Sequence, residues 1–271
     1  MFVSEQKPSL QNETASGYVR RRWLLASVPA LLVSAAGCSH KEQLGRNELL
    51  FVTNKQMASL ADPVWQRALD SMRTNNDAAM VAPVERVAAR ILKASRNDPD
   101  EWEIAILQSD HAHIFALPNK KIGIYTGLLD RVKNDDELAL LMAHALAHVN
   151  YNHYGERFSQ SPLAKQGVSI TAVMLGGVKF QEDVTALFGV ATDMEELAPF
   201  SREHELAADK FSIRYLERAG FDPLVAPAFW RDLSSDGEGP QSMLVALHLI
   251  DGTRLAHLDQ EIALLASVAK K

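Results

Sequence analysis

The sequence has little of what would cross-link a chain covalently or carry it through a membrane. It contains a single cysteine among 271 residues, so no disulfide can form within the chain and packing or a bound metal must stabilise the fold. Acidic residues outnumber basic ones, and the net charge of −6 argues against nucleic acid as a partner. The longest apolar stretch beyond the N-terminus, Val168–Val178, has about half of the roughly 20 residues that a membrane helix needs, so we expect a core helix or a lid. A hydrophobic content of 47% predicts one domain of about 200 residues with a full core.

The N-terminal residues follow the pattern of a bacterial export signal. A basic triplet, Arg20–Arg22, precedes the apolar run Trp23–Gly37, which is too short for a membrane span and has the length of a signal-peptide core. The arginines also resemble a twin-arginine export signal, although any basic segment could produce that match. We therefore expect residues 1–37 to be a signal peptide. Because this segment carries four basic and two acidic residues, its removal leaves a net charge of −8.

Cys38 closes the segment Ser34–Cys38, which resembles a bacterial lipobox although Ala35 stands where leucine is preferred. The other interpretation of a lone cysteine is a small buried side chain. In the lipobox interpretation Cys38 carries the lipid, and Ser39 is similar to the residue that sends such lipoproteins to the outer membrane. The expected location is therefore the bacterial cell envelope, anchored by lipid to the outer membrane and facing the periplasm.

The patterning of the mature chain predicts a helix-rich domain with a small sheet. Residues 38–60 are polar and are expected to form a tether, ahead of one domain over residues 61–271. Hydrophobic periodicity places the first helices and strands. The predicted helices are roughly Asp62–Met72 and Met80–Ser95, and the predicted strands are Glu103–Leu107 and Lys121–Tyr125.

A further predicted helix carries His144 and His148, four residues apart. Asn134 has the pattern of its N-cap, with Glu137 three residues on and acidic residues that suit the positive end of a helix. Two histidines at this spacing face the same way, about one turn apart, and can bind one Zn²⁺. Such a pair also arises by chance on helices that bind no metal. The adjoining apolar stripe places both histidines at the edge of the buried face, where a metal could still be reached.

Ala145 follows the first histidine, at the position where the zinc-protease motif H-E-x-x-H has its glutamate. In that motif the glutamate deprotonates the zinc-bound water and later hands the proton to the leaving amine. Neither Glu137 nor Glu156 lies at a spacing that could replace it. Alanine favours helix, so the histidines should stay in place. Since a general acid–base contributes about 10²–10⁴-fold, the site is expected to bind metal with little activity.

A second predicted helix supplies candidates for a third ligand. It contains Ser201–Asp209, runs to about Ala219 and stops at a glycine followed by a proline, Gly220–Pro223. Glu205 and Asp209 are one turn apart, so one could bind the metal while the other hydrogen-bonds a ligand histidine. Without the histidine pair, an exposed acidic helix face would explain these residues equally well.

Four ordered stretches, within roughly residues 60–265, resemble the gluzincin zinc metallopeptidases, the family of HtpX, BepA, LoiP and the CAAX prenyl protease. They resemble its edge strand, its metal helix, its S-R-x-x-E-x-x-A-D segment and a C-terminal H-P-x-x-x-x-R element. The stretches are Phe115–Leu129, His144–His153, Ser201–Pro223 and His248–Arg254. The resemblance, closest in kind to the lipoprotein members, implies an α+β, zincin-like metallopeptidase domain, mostly helical with a small β-sheet.

The same resemblance implies a role for individual residues. One Zn²⁺ per chain would be bound by His144, His148 and Glu205. Asp209, His248 and Arg254 would complete the catalytic centre, with Asp209 behind the ligands and His248 either steadying the oxyanion or occupying the open coordination position. The residues implied in substrate binding are His113, Phe115, Ala116, Ile122 and Ile124.

Ala145, His113 and Leu249 depart from the family pattern, which has glutamate, asparagine and proline at these positions. An engineered substitution and a natural pseudoprotease both explain Ala145, and the other two departures fit the natural one. We expect a zinc metalloendopeptidase of envelope protein quality control that has lost its general base and acts on unfolded or unassembled envelope proteins. The alternative is a non-enzymatic, zinc-bound chaperone or adaptor that binds extended peptides of outer-membrane proteins by β-addition.

Overall fold

The fold is mostly helical, with a small sheet beside a central helix. The computed structural model describes residues 37–41, 46–50, 52–161, 164, 173, 178–190, 199–235 and 242–268. The strands are β1 Gly37–Lys41, β2 Arg46–Leu50, β3 Glu103–Leu107, β4 Ile114–Leu117 and β5 Lys121–Tyr125. The helices are α1 Asn54–Ser71, α2 Ala78–Ala94, α3 Thr126–Leu129, α4 Asp135–Asn150, α5 His153–Gln160, α6 Val178–Leu187, α7 Arg202–Ala219, α8 Val225–Ser235, α9 Ser242–Leu247 and α10 Gly252–Val268. This content confirms the predicted α+β class.

Several predictions fall on residues that are not described. The signal peptide lies outside the described residues except for Gly37, and so does the apolar stretch Val168–Val178 except for its buried Val173 and for Val178, which begins α6. Among the helices that the structure does describe, none combines the length and the apolar character needed to cross a membrane.

The three-stranded sheet has the order β3-β5-β4, with β3 parallel and β4 antiparallel to β5. Strands β3 and β5 match the predicted strands residue for residue. Gly123 in β5 leaves room for the ring of Phe115 in β4, because a Cβ atom at Gly123 would lie 2.2 Å from Phe115 Cζ. In the part of the chain that the structure describes, β4 pairs on one side only and forms an edge of this sheet, as the family resemblance implied.

Helix α1 corrects the predicted tether. It begins at Asn54 rather than Asp62, because Thr53 and Gln56 form a capping box: Gln56 N donates to Thr53 Oγ1 over 3.2 Å, and Thr53 N donates to Gln56 Oε1 over 2.9 Å. The first turns bury Met57 and Leu60 in the core. The prediction of a tether over residues 38–60 is therefore wrong for the last residues of that range, which belong to α1. Strands β1 and β2 occupy most of the remaining residues of the range.

Helix α4 lies at the centre of the domain. Asn134 caps it as predicted, with its Oδ1 atom accepting a hydrogen bond of 2.9 Å from Glu137 N. Helices α2, α7 and α8 and strand β4 all pack against it, so that every residue from Glu137 to His148 is buried. The prediction that the histidines lie at the edge of the buried face is wrong, because α7 covers the face they were expected to expose. A metal here would be held in the interior.

Helix α7 follows its predicted bounds. Ser201 caps the N-terminus by accepting a hydrogen bond from His204 N. The helix ends at Gly220, whose φ of 72° lies in the left-handed region that glycine adopts readily. The helix therefore brings its first turns, with Glu205 and Asp209, against α4.

Candidate metal centre

Four donor side chains from three parts of the fold converge beside α4. They are His144 and His148 on α4, Glu205 on α7 and His248 just after α9, and one donor atom from each lies within 4.8 Å of all the others. All four side chains are buried. The structure thus brings together the three ligands that the sequence resemblance named and adds His248 to them.

The spacing of these donors fits a zinc ion. Zinc bonds of about 2.0–2.1 Å in a tetrahedron place neighbouring donors about 3.3 Å apart. His144 Nε2 lies 3.1 Å from His148 Nε2, 3.2 Å from His248 Nδ1 and 3.3 Å from Glu205 Oε2. Glu205 Oε1 lies 3.0 Å from His248 Nδ1 and 3.6 Å from His148 Nε2. Three imidazole nitrogens cannot all donate to one another at such distances, whereas all can face one cation.

Asp209 and Arg254 hold the donors from behind. Arg254 makes a two-pronged contact with Asp209, from Nε to Oδ2 over 2.7 Å and from Nη2 to Oδ1 over 2.8 Å. Its Nη1 atom lies 2.9 Å from Glu205 Oε2, and Asp209 Oδ1 lies 3.1 Å from His144 Nδ1. The guanidinium also covers the ring of Trp230, 4.1 Å from its centroid. Both residues therefore contact donor side chains and hold their orientation.

The charges of the cluster favour a cation. Burial would raise the pKa of Glu205, but His248 and Arg254 lower it well below its ordinary value, and Arg254 lowers the pKa of Asp209 in the same way. Two buried carboxylates thus face one guanidinium. Burial would lower the pKa of His144, yet its bonds to Asp209 and Glu205 raise it above its ordinary value. A cation bound between the donors would bring positive charge to the same two carboxylates.

The other two histidines of the cluster are already in the form that binds metal. Burial lowers the pKa of His148 well below its ordinary value and also lowers that of His248. Both rings are therefore neutral near pH 7, with a lone pair available on the nitrogen that faces the cluster. The donor chemistry, three imidazoles and one ionised carboxylate, is a set that Zn²⁺ binds.

Ala145 offers only a methyl group next to this site, and it is buried. The two carboxylates weighed as replacements are engaged elsewhere. Glu137 accepts a hydrogen bond of 2.8 Å from Lys133 N, and Glu156 lies 3.2 Å from His204 Nε2. Within the described residues, the only carboxylates in contact with the donors are Glu205 and Asp209.

The residues implied in substrate binding lie in the core. His113 is buried, its Nε2–H donates to Gly189 O over 2.7 Å, and burial lowers its pKa to about 3. The other side chains of this set are also buried, namely Phe115, Ala116, Ile122 and Ile124. In this structure these residues pack in the core, and the main chain of the edge strand β4 is buried together with its side chains.

Sequence reasoning missed the aromatic wall of the site. The ring of Phe200 lies 3.7 Å from that of His148 and 5.7 Å from that of His248, between centroids, and the Trp230 ring lies 5.2 Å from that of His144. Both residues are buried. Nothing in the sequence distinguishes them from ordinary core aromatics, although Phe200 directly precedes the segment that carries Glu205.

Comparison with known proteins agrees with this geometry. The model of peptidase family M48 matches residues 76–262. Mitochondrial metalloendopeptidase OMA1 of Bos taurus is 26% identical over 235 residues, which cover 80% of this chain and 45% of the relative. The beta-barrel assembly-enhancing protease of Escherichia coli (strain K12) is 24% identical over 163 residues, covering 58% of this chain and 33% of the relative.

The chain spans less than half the length of these curated relatives. The family model nevertheless covers well over half of the chain, and its matched region contains all four buried donors, which are suited to zinc. The resemblance to gluzincins and the zincin-like domain are thereby confirmed, and the chain belongs to peptidase family M48, whose members are zinc-dependent metallopeptidases.

Proposed function

We propose that the protein is a zinc-binding pseudoprotease of envelope protein quality control. In this proposal it keeps the metal centre and the peptide-binding edge of an M48 peptidase and lacks the group that activates water. Ala145, beside a complete set of zinc donors, is the single observation that carries the proposal.

The expected loss of activity can be estimated. A positioned general acid–base contributes about 10²–10⁴-fold to the rate, while zinc alone still lowers the pKa of its bound water to about 7. His248 would reduce the activity further, because its Nδ1 atom lies 3.2 Å from His144 Nε2 and 3.0 Å from Glu205 Oε1 and would serve as a fourth protein donor to the metal. Catalytic zinc sites keep that vertex for water, whereas closed sites with four protein donors are structural. Water or a substrate carbonyl would first have to displace His248.

The names of the relatives and the N-terminal pattern support the cellular setting. One relative is named for β-barrel assembly and another is a metalloendopeptidase of mitochondria. The lipobox-like segment ending at Cys38 supports a lipid anchor in the outer membrane, with the domain facing the periplasm. Under this proposal the partners are unfolded or unassembled envelope proteins, and the membrane is contacted through the lipid alone.

The change Ala145→Glu tests the proposal. The new carboxylate follows a zinc donor in sequence, at the family's catalytic position, so chelator-sensitive cleavage of casein should rise by about 10²–10⁴-fold over the unmodified chain. Ala145→Gln is the matched control, since it adds the same bulk without a base. His148→Ala combined with Ala145→Glu controls for contaminating protease.

The outcomes separate the alternatives. If the unmodified chain already cleaves casein as fast as Ala145→Glu does, and a chelator stops both, the pseudoprotease proposal is wrong. If Ala145→Glu binds zinc and remains inert, the departures at His113 and Leu249 have removed more than the base, and the chaperone alternative gains.

The second candidate is a non-enzymatic, zinc-bound chaperone or adaptor. The observation that favours it is the position of β4 at an edge of the described sheet, where an extended peptide could add through main-chain hydrogen bonds after displacing the residues that bury this strand. A chaperone should slow the aggregation of an unfolded outer-membrane β-barrel protein at equimolar concentration, and both the unmodified chain and Ala145→Gln should do so. Aggregation unchanged by either protein would contradict this candidate.

The proposed anchor has its own experiment. Cells producing the unmodified chain should hold it in the membrane fraction, at the size expected after cleavage before Cys38. Cys38→Ser should yield unprocessed precursor or soluble periplasmic protein. Unchanged size and unchanged membrane association would mean that Cys38 is not lipidated.

A further inference from the structure

A second buried polar cluster lies directly behind His148. It consists of His153 and Glu156 on α5 and His204 on α7, which are at most 1% exposed. Neither the family resemblance nor the four-donor site assigns these residues a role. So much buried polarity is costly unless each group is hydrogen-bonded, which calls for an explanation.

The members of this cluster form a chain that ends on a zinc donor. His153 Nδ1 lies 3.0 Å from His148 Nδ1, the nitrogen that points away from the four-donor site. The rings of His153 and His204 stack, with centroids 4.6 Å apart and planes 20° apart. His204 Nε2 lies 3.2 Å from Glu156 Oε2.

The hydrogen bonds are consistent with only one proton arrangement when the metal is bound. His148 Nε2 must then carry a lone pair that faces the metal. The proton of this neutral ring therefore sits on Nδ1, which donates a hydrogen bond to His153 Nδ1. His204 Nδ1 accepts from Ser201 N over 3.4 Å, so its proton sits on Nε2 and is donated to Glu156. The opposite arrangement, with His153 donating to His148, would put a proton on the nitrogen that faces the metal and would block binding.

The backbone between α4 and α5 is shaped to place His153 there. Asn152 adopts the left-handed conformation, with a φ of 56°, and ends the short turn between the two helices. A Cβ atom on Gly155 would lie 2.5 Å from Asn152 Oδ1, so this glycine permits the tight turn. The turn puts His153 at the first position of α5, with its ring beside His148.

We propose that His153 is a positioning residue of the metal centre. Its Nδ1 atom accepts the hydrogen bond that His148 Nδ1–H donates, while the stacked ring of His204, held by Glu156, fixes the orientation of His153. The inference rests on the zinc site alone and holds whether or not the protein cleaves peptides. Acceptors behind ligand histidines usually are carboxylates, carbonyls or water, so a neutral imidazole is an unusual choice.

Two substitutions at His153 separate hydrogen bonding from packing. His153→Phe keeps a flat ring that can stack on His204 and removes both ring nitrogens, including the acceptor Nδ1. His153→Gln restores an acceptor through its Oε1 atom. His257→Gln is the control, since His257 pairs with Glu261 on α10. Zinc affinity is measured by competition with a chromophoric chelator, and the visible absorption bands of the Co²⁺-loaded protein report the geometry at the metal.

His153→Phe should lower zinc affinity by about 10–100-fold and alter the Co²⁺ bands. His153→Gln should recover most of the affinity and the original bands, and the control should match the unmodified chain. Equal affinity in His153→Phe and the unmodified chain would overturn the proposal. So would an equal loss in His153→Phe and His153→Gln, because packing alone would then be responsible.

Two further outcomes concern zinc binding by the unmodified chain and the folding of His153→Phe. If the unmodified chain binds no zinc, the metal site and this inference fall together, whatever the protein does with peptides. If His153→Phe does not fold, His204→Phe takes its place, since it keeps the stacked ring and removes the bonds to Glu156 and Ser201. It should lower zinc affinity severalfold, and an unchanged affinity there would overturn the proposed chain of contacts.

Discussion

Replacing Arg254 by methionine should destabilise the fold severely. Arg254 is 1% exposed and is the shared partner of Asp209 and Glu205, both buried, through contacts of 2.7, 2.8 and 2.9 Å. Methionine fills a similar volume over Trp230 but leaves two ionised carboxylates without their cation. Breaking a buried ion pair from one side costs about 3–5 kcal/mol, a large part of the stability of an ordinary domain.

Urea unfolding of chelator-treated protein, followed by tryptophan fluorescence, measures this loss. If the free energy of unfolding changes by about 3 kcal/mol per molar urea, the loss lowers the urea concentration at the unfolding midpoint by about 1 M or more. Arg231→Met is the matched control, because Arg231 pairs with Asp259 at the surface, with both side chains about half exposed. That change should cost about 0–1 kcal/mol. A loss in Arg254→Met no larger than in the control would refute the view that Arg254 neutralises the buried acids.

Asp209→Ala should lower zinc affinity by about 10–100-fold in the chelator assay, because His144 Nδ1 loses its acceptor; unchanged affinity would exclude that role. Thr53→Ala should cost about 1 kcal/mol in urea unfolding if the domain begins at α1, and nothing if Thr53 lies in a tether. Gly123→Ala should cost about 1–3 kcal/mol through the clash with Phe115, while Gly252→Ala, where a Cβ meets open space, should not destabilise. Stability should fall as the pH drops from about 6.5 towards 3, because the unfolded chain protonates His113 in this range and the folded chain does not. Each such histidine contributes up to about 1.4 kcal/mol per pH unit, and His113→Phe should flatten the slope by that amount.

The sequence was sufficient wherever a local pattern carries the information. The cap at Asn134, the glycine stop at Gly220 and the strands β3 and β5 were predicted at the positions where the structure has them. Each depends on residues that are neighbours along the chain. The pair His144 and His148 is also local, since one helical turn brings the two together.

The misses involve contacts between distant parts of the chain. The burial of α4 on all sides depends on α2, α7, α8 and β4, which no periodicity within α4 could reveal. Helix α1 continues through Pro63, a residue that favours the first turn of a helix, because its earlier residues Met57 and Leu60 are buried in the core. The position of His248 beside His144 and the stack of His153 on His204 likewise join separate segments.

The central claim is that the metal centre is complete although the general base is absent. Elemental analysis of protein purified without chelator tests it most directly, in the unmodified chain and in His148→Ala. The account predicts about one zinc per unmodified chain and a marked fall in His148→Ala, since every donor is present and only Ala145 departs from the catalytic motif. An unmodified chain that is folded but free of zinc, or zinc retained fully in His148→Ala, would contradict it.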